Sequence, residues 1–362
     1  MSETPFLPQD IFDFLAKKTF GQDDVLKKVS VAVYKHINGL KAGNLLLIGS
    51  SGTGKTTIMN SLQKFYSAFQ EFKRFRAMSI MNANMLAGEE QGEVNLERLF
   101  RNLENAVNAT YGSYVTADKL QEYMENATVC IDEVDKISSR ISGKVNVSGI
   151  GVQHALLTLL EGERVIYETT RDQKPVKLPV DTSKLLFICG GAFEGLHDQI
   201  MEEIEQHKEG RQLGTAIRLE ADGSEHEVPA FVLKEQLKLA DLFAYGMAPQ
   251  FISRFKSIAV LEDLGINELK RILLTADDSP FRDSQKYFKS MGIDLQITKD
   301  ALHLIAQHAV ENTRIGARAL NETFSRVVDF FEFDPVGSGK LQHVTDKDVL
   351  TIDREMVMLA LA

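Results

Sequence analysis

Residues 49–56 read Gly-Ser-Ser-Gly-Thr-Gly-Lys-Thr and follow directly on the apolar run 45–48. This feature most restricts what the chain can fold into. A strand must deliver the chain to a sharp glycine-rich turn, and a helix must start at the lysine. Gly49, Gly52 and Gly54 can take backbone angles that turn successive N–H groups inward. Those donors and the helix N-terminus then form a nest for polyphosphate. Ser51, Thr53 and Thr57 complete the loop. Lys55 reaches the β- and γ-phosphates, and the Thr56 hydroxyl serves Mg²⁺.

A second run, Thr-Val-Cys-Ile-Asp-Glu at 128–133, is a short β-branched strand ending in two acids. Downstream of a P-loop, Asp132 holds the Mg²⁺ shell and Glu133 orients and activates the attacking water. The second carboxylate points to hydrolysis rather than transfer to an organic acceptor.

The chain has 362 residues, enough for one large domain or two ordinary ones. The net charge of −10 argues against free nucleic acid or an anionic membrane as a direct partner. Cys130 and Cys189 sit inside apolar strand-like runs without Cys-x-x-Cys spacing. They read as buried thiols of a reducing compartment, not as a zinc site. No signal pattern or membrane-length apolar run is present, so a cytoplasmic protein is expected.

Strands are expected at 45–48, 75–81, 128–131, 185–189 and 256–261, alternating with helices at 56–70, 96–107 and 152–161. That alternation predicts a parallel α/β sheet. Residues 164–167 and 176–180, about a turn at Asp172, read as a hairpin. Residues 196–239 are charge-rich and read as an insertion of helix, hairpin and helix. From residue 265 the pattern turns mainly helical. The expected division is a large nucleotide-binding domain at 1–264 and a smaller domain at 265–362.

Longer motifs carry a resemblance. Phe20-Gly21-Gln22, the run Ile-Asp-Glu-Val-Asp-Lys-Ile at 131–137, the Ser-Gly-x-Gly-Val-Gln stretch opening at Ser148, and residues 180–193 resemble the ClpX family of AAA+ protein-unfolding ATPases, and less closely HslU. The likeness extends from about Leu7 to the C-terminus. It implies an AAA+ large domain followed by a lid, with ATP and Mg²⁺ as ligands. Phe20 and Gly21 would lie against the adenine. In the segment 249–254, Arg254 would be an arginine finger reaching a neighbouring subunit's nucleotide, which implies a hexameric ring. In Gly316-Ala317-Arg318, Arg318 would contact nucleotide on its own large domain. No sensor 1 residue is evident near Cys189-Gly190-Gly191.

Departures from the family are equally specific. Its N-terminal Cys₄ zinc-binding region has no counterpart before Leu7. The aromatic pore loop Gly-Tyr-Val-Gly is replaced by the acidic Gly88-Glu89-Glu90-Gln91-Gly92, followed by Glu93. The basic pore-entrance loop becomes Thr170-Arg171-Asp172-Gln173-Lys174. The Ile-Gly-Phe loop that docks on ClpP falls at Arg211-Gln212-Leu213-Gly214 and lacks its apolar anchors. The expected function is therefore ATP-driven remodelling of a protein substrate, with a preference for basic segments and without ClpP. The alternative is a nucleotide-switched assembly factor that binds a protein without threading it. A small-molecule kinase is the third reading; the paired acids, Arg254, Arg318 and the separate small domain argue against it.

Overall fold

The computed structural model describes residues 6–361 apart from 89, 91, 142, 172, 207–212, 220–224, 312–315 and 345–346. The expected positions Glu89, Gln91, Asp172, Arg211 and Gln212, and the turn at 221–223, lie outside the described residues.

The chain forms two compact units. One comprises residues up to Ala16, Asp24–Gly49 and Lys55–Leu261; the other comprises Lys17–Asp23, Ser50–Gly54 and Glu262–Ala362. In the first unit the main elements are α1 (Pro8–Ala16), α2 (Asp23–Ile37), β1 (Asn44–Ile48), α3 (Lys55–Ala68), β2 (Met78–Asn82), α4 (Glu97–Tyr111), α5 (Ala117–Glu125) and β3 (Thr128–Asp132). They continue with α6 (Val147–Glu161), the hairpin strands β4 (Arg164–Arg171) and β5 (Lys174–Asp181), β6 (Leu186–Gly191), α7 (Leu196–Glu205) and β7 (Phe255–Val260).

A five-stranded sheet in the order β7-β1-β6-β3-β2 holds this unit together, with every pairing parallel. The fold is α/β of the AAA+ kind. After Asn44, β1 is apolar, Leu45–Ile48, because helices cover both faces of the sheet. Alternation sends Leu46 and Ile48 into the core with Val129, Ile131 and Phe187, and Leu45 and Leu47 into the core with Phe65, Cys130 and Ile188. Both cysteines are buried free thiols, and burial pushes their pKa values up. The strand expected at 75–81 starts later, because Gln70–Phe75 forms a 3₁₀ turn that buries Phe72 and Phe75.

Residues 196–239 contribute α7, an antiparallel pair Gly214–Leu219 with Glu225–Ala230, and the short helix Leu233–Gln236. The second unit carries α8 (Ile266–Thr275), α9 (Pro280–Ser290), β8 (Ile293–Ile297), α10 (Lys299–Glu311), α11 (Ala317–Phe333), β9 (Leu341–Val344), β10 (Lys347–Ile352) and α12 (Arg354–Leu361). Its helices pack Phe288, Ile305, Leu320 and Phe324 against Leu295, Leu350 and Ile352 of a three-stranded sheet, β8-β10-β9. This sheet adds strands to a region whose sequence reads as mainly helical. No described helix is long and apolar enough to cross a membrane.

Candidate nucleotide site

Parallel strands end at the same edge, and ligands of open α/β sheets bind beyond their carboxyl ends. At that edge Ile48 pairs with Gly191, Ile131 with Cys189, and Asn82 with Asp132. The register therefore gathers the P-loop start, both strand-end acids and Asn82. The Lys55 Nζ donates to the Gly49 carbonyl at 2.5 Å, and Lys55 is buried. The Thr56 hydroxyl donates to Asp132 Oδ2 at 2.9 Å. Asp132 Oδ1 accepts from the Glu133 N–H at 2.9 Å.

Glu133 is exposed and takes a left-handed backbone, φ 57° and ψ 36°. Non-glycine residues seldom adopt this region. Here it turns the chain out of β3, and the Asn82 amide donates to Glu133 Oε2 at 3.1 Å. Asn82 was not among the residues singled out from sequence. Its signal is positional: it is the last residue of the strand beside Asp132.

The end of β6 supplies backbone only. A Cβ at Gly190 would stand 3.3 Å from Asp132 Oδ1 and 3.1 Å from the Met59 methyl; one at Gly191 would stand 2.8 Å from Asp135 Oδ1. Neither glycine can gain a side chain without a shift of these neighbours. The Gly191 carbonyl accepts from the Gly49 N–H at 3.2 Å, and the next N–H, of Ala192, donates to Asp135 Oδ1 at 3.1 Å. Asp135 thus ties the tip of β6 to the segment that follows Glu133.

The second unit contains the glycine turns of the loop. Gly52 and Gly54 have φ of 80° and 107°, whereas Gly49 stays out of the left-handed region. Gln22, almost fully buried, donates to the carbonyls of Thr53 at 3.1 Å and Glu262 at 2.8 Å. Phe20 is buried under the Arg271 guanidinium, 4.4 Å from its ring centroid. Gly21 has φ 72°. The Ala317 N–H donates to the Gly52 carbonyl at 3.2 Å, and Arg318, the next residue, is exposed. A Cβ at Gly316 would come within 2.9 Å of Gly52 backbone.

Arg254 lies elsewhere. Its carbonyl accepts from the Asn44 amide at 3.1 Å, and its guanidinium pairs with Glu161 at the end of α6. Asn44 opens β1, so Arg254 stands at the opposite edge of the sheet from Gly49, about 13 Å of strand away. It lines a cavity of about 890 Å³ together with Lys41, Ser183, Lys184 and Lys256.

The substrate-side expectations change in one respect. Arg171 is not an available pore-entrance cation. It is nearly buried, pairs with Glu104 at 2.7 Å and donates to Asn108 Oδ1 at 3.0 Å. Glu104 also accepts from the Tyr167 hydroxyl at 2.7 Å and from Thr169. This cluster fastens the β4–β5 hairpin to α4. In the loop 88–94, Glu93 Oε2 accepts from the Glu90 N–H at 3.3 Å, and Ser148 Oγ accepts from the Gly92 N–H at 3.2 Å.

Residues 40–258 match the family model described as AAA domain (Cdc48 subfamily), and the chain belongs to that family. It is similar to proteins named ATP-dependent Clp protease ATP-binding subunit ClpX. The relative from Porphyromonas gingivalis is 27% identical over 357 residues, covering 94% of this chain and 80% of its own. That from Bacteroides thetaiotaomicron is 28% identical over 358 residues with the same coverage. That from Borrelia duttonii is 28% identical over 373 residues, 97% and 80% of the two chains. The chain is a ClpX-like AAA+ ATPase of the chaperone type.

Proposed function

We propose that the protein is a ring-forming motor that hydrolyses ATP to unfold, remodel or disassemble a protein substrate without delivering it to ClpP. The observation that supports this most is the array at the sheet edge, in which Thr56 bonds Asp132 and Asn82 bonds Glu133. In this reading residues 1–264 form the large domain, with an insertion at 196–239, and 265–362 form the lid. The backbone of Gly49, Ser51, Gly52, Thr53 and Gly54 cradles ATP phosphates, with Lys55 as their cation and Thr57 extending the loop. Phe20 and Gly21 flank the base. Thr56 and Asp132 offer hard oxygen donors that suit Mg²⁺, which when bound neutralises charge on the β- and γ-phosphates.

Glu133 polarises the attacking water, and the Asn82 amide holds its carboxylate until substrate is in place. Arg254 serves the neighbouring site; its place at the far edge of the sheet from Gly49 supports this. Arg318 senses nucleotide from the lid. The likeness to ClpX supports a hexameric ring. Leu213 is exposed in a segment without the Ile and Phe of a ClpP-docking loop, which supports independence from that protease.

A second reading, a nucleotide-switched assembly factor, draws support from the loop 88–94, which has no aromatic to grip a passing chain. ATPase stimulation by an unfolded protein favours the motor; its absence favours the switch. Lys55→Ala is expected to lose nucleotide affinity, whereas Glu133→Gln keeps affinity and loses turnover by about 10²-fold or more. Normal turnover by Glu133→Gln, measured as phosphate release, would remove Glu133 from the chemistry.

A further inference from the structure

Gln153 sits within α6 and is 1% exposed. Its neighbours on the buried face, Val152, Leu156 and Leu159, are apolar, and a buried amide persists in such a place only when its polar groups are satisfied. All of its bonds go to backbone of two segments. Nε2 donates to the Ile137 carbonyl at 2.7 Å and to the Gly246 carbonyl at 3.3 Å; Oε1 accepts from the Ala248 N–H at 2.7 Å. Ile137 ends the 3₁₀ turn Val134–Ile137, which begins directly after Glu133. Ala248 caps the turn Pro249–Ile252, and Arg254 follows, its N–H donating to the Phe251 carbonyl at 3.1 Å. The two segments also meet directly, Ser139 N–H to Gly246 carbonyl at 2.8 Å. At the far end of the same helix Glu161 holds the Arg254 guanidinium.

We propose that Gln153 is a positioning residue that locks the turn after Glu133 to the turn presenting Arg254, so that both groups move as one body. The inference rests on the ring reading above. In a ring, Glu133 works on its own subunit's nucleotide and Arg254 on the neighbour's. Gln153 then lies at the joint between adjacent sites, and a shift at one is passed to the other through a shared rigid segment rather than through a chain of loose contacts. Neither residue touches Gln153, so its loss acts on timing between sites and not on nucleotide binding.

The test uses the full chain. Gln153→Met keeps the side-chain length and removes all three hydrogen bonds. Ala248→Pro is a second probe: the Ala248 φ of −64° suits proline, and only the N–H given to Gln153 is deleted. Affinity for a fluorescent ATP analogue, ATPase rate against ATP concentration, melting temperature and sedimentation are measured together. For Gln153→Met, affinity is expected to stay within about twofold while kcat falls about tenfold, a split that marks lost transition-state positioning. The Hill coefficient is expected to exceed 1 in the unaltered chain and to fall to about 1 in the variant. Ala248→Pro should show the same changes at smaller size. A variant that melts earlier yet keeps kcat and Hill coefficient would make Gln153 a packing residue and overturn the inference alone. An unaltered chain that sediments as a fully active monomer would overturn the ring reading, and this inference with it.

Discussion

At the end of β6 there is little room for an added carbon: a Cβ at Gly191 meets Asp135 at 2.8 Å, and one at Gly190 stands tight against Met59 and Asp132. At Gly112 after α4, and at Gly143 in the short hairpin before α6, a Cβ meets nothing within 4 Å. The hairpin β4–β5 is anchored to α4 through the Glu104 cluster, while Ile166 and the tip residue Lys174 are exposed. The nucleotide end is specified by side chains packed against glycine backbone, which leaves little choice of residue. The hairpin is specified by a few side-chain anchors that leave its tip exposed, and at Gly112 and Gly143 the space is open although φ of 90° and 77° still favours glycine. Here the likeness to the ClpX pattern holds closely at the first region and fails at the second.

The comparison breaks most sharply at Arg254. Arg254→Ala is expected to bind ATP and lose hydrolysis by about 10³-fold, the scale of an arginine finger. Mixing it with Glu133→Gln should restore phosphate release at interfaces that combine an intact finger with an intact base. Failure of the mixture to recover activity would place Arg254 outside the chemistry.

Glu104→Ala sharpens the comparison at intermediate size. It strands the nearly buried Arg171 and removes the acceptor for Tyr167 and Thr169. A cost of about 3 kcal/mol is expected, read as an earlier thermal melt, with basal ATPase kept within about twofold. A tenfold loss of ATPase would show that hairpin and nucleotide end are not separable.

The smallest effect concerns charge in the loop 88–94. Peptides rich in Lys and Arg are expected to bind more weakly as salt rises. Glu90→Gln with Glu93→Gln should weaken binding about threefold at low salt, and less at high salt, as exposed ion pairs allow. Part of the Glu93 carboxylate is already turned onto the Glu90 N–H, which limits the field it offers outward. Fluorescence anisotropy at two ionic strengths measures this; salt-independent binding would remove the loop from the contact.

The sheet and P-loop were legible in the sequence because both depend on local composition: an apolar run, then glycines, then Lys55. Lys55, Thr56, Asp132 and Glu133 were readable for the same reason. Asn82, Gln153 and Asp135 were less so, since their roles depend on which strand lies beside which, and a single chain does not print strand order. The capture of Arg171 by Glu104 is a long-range pairing of the same kind. β8 is a different case. Its sequence Ile-Asp-Leu-Gln-Ile alternates cleanly and is half-buried to match; the signal was present beneath a helical surround.

The left-handed turn at Glu133 bears on how faithfully a mutant can imitate the protein at rest. Asparagine or glycine there would be more at ease in that conformation than glutamate, so either would relax the chain as well as delete the acid. Glutamine keeps the length, the backbone cost and an oxygen within reach of the Asn82 amide, and surrenders only the charge. Glu133→Gln is thus the substitution whose behaviour can be compared most directly with that of the unaltered chain.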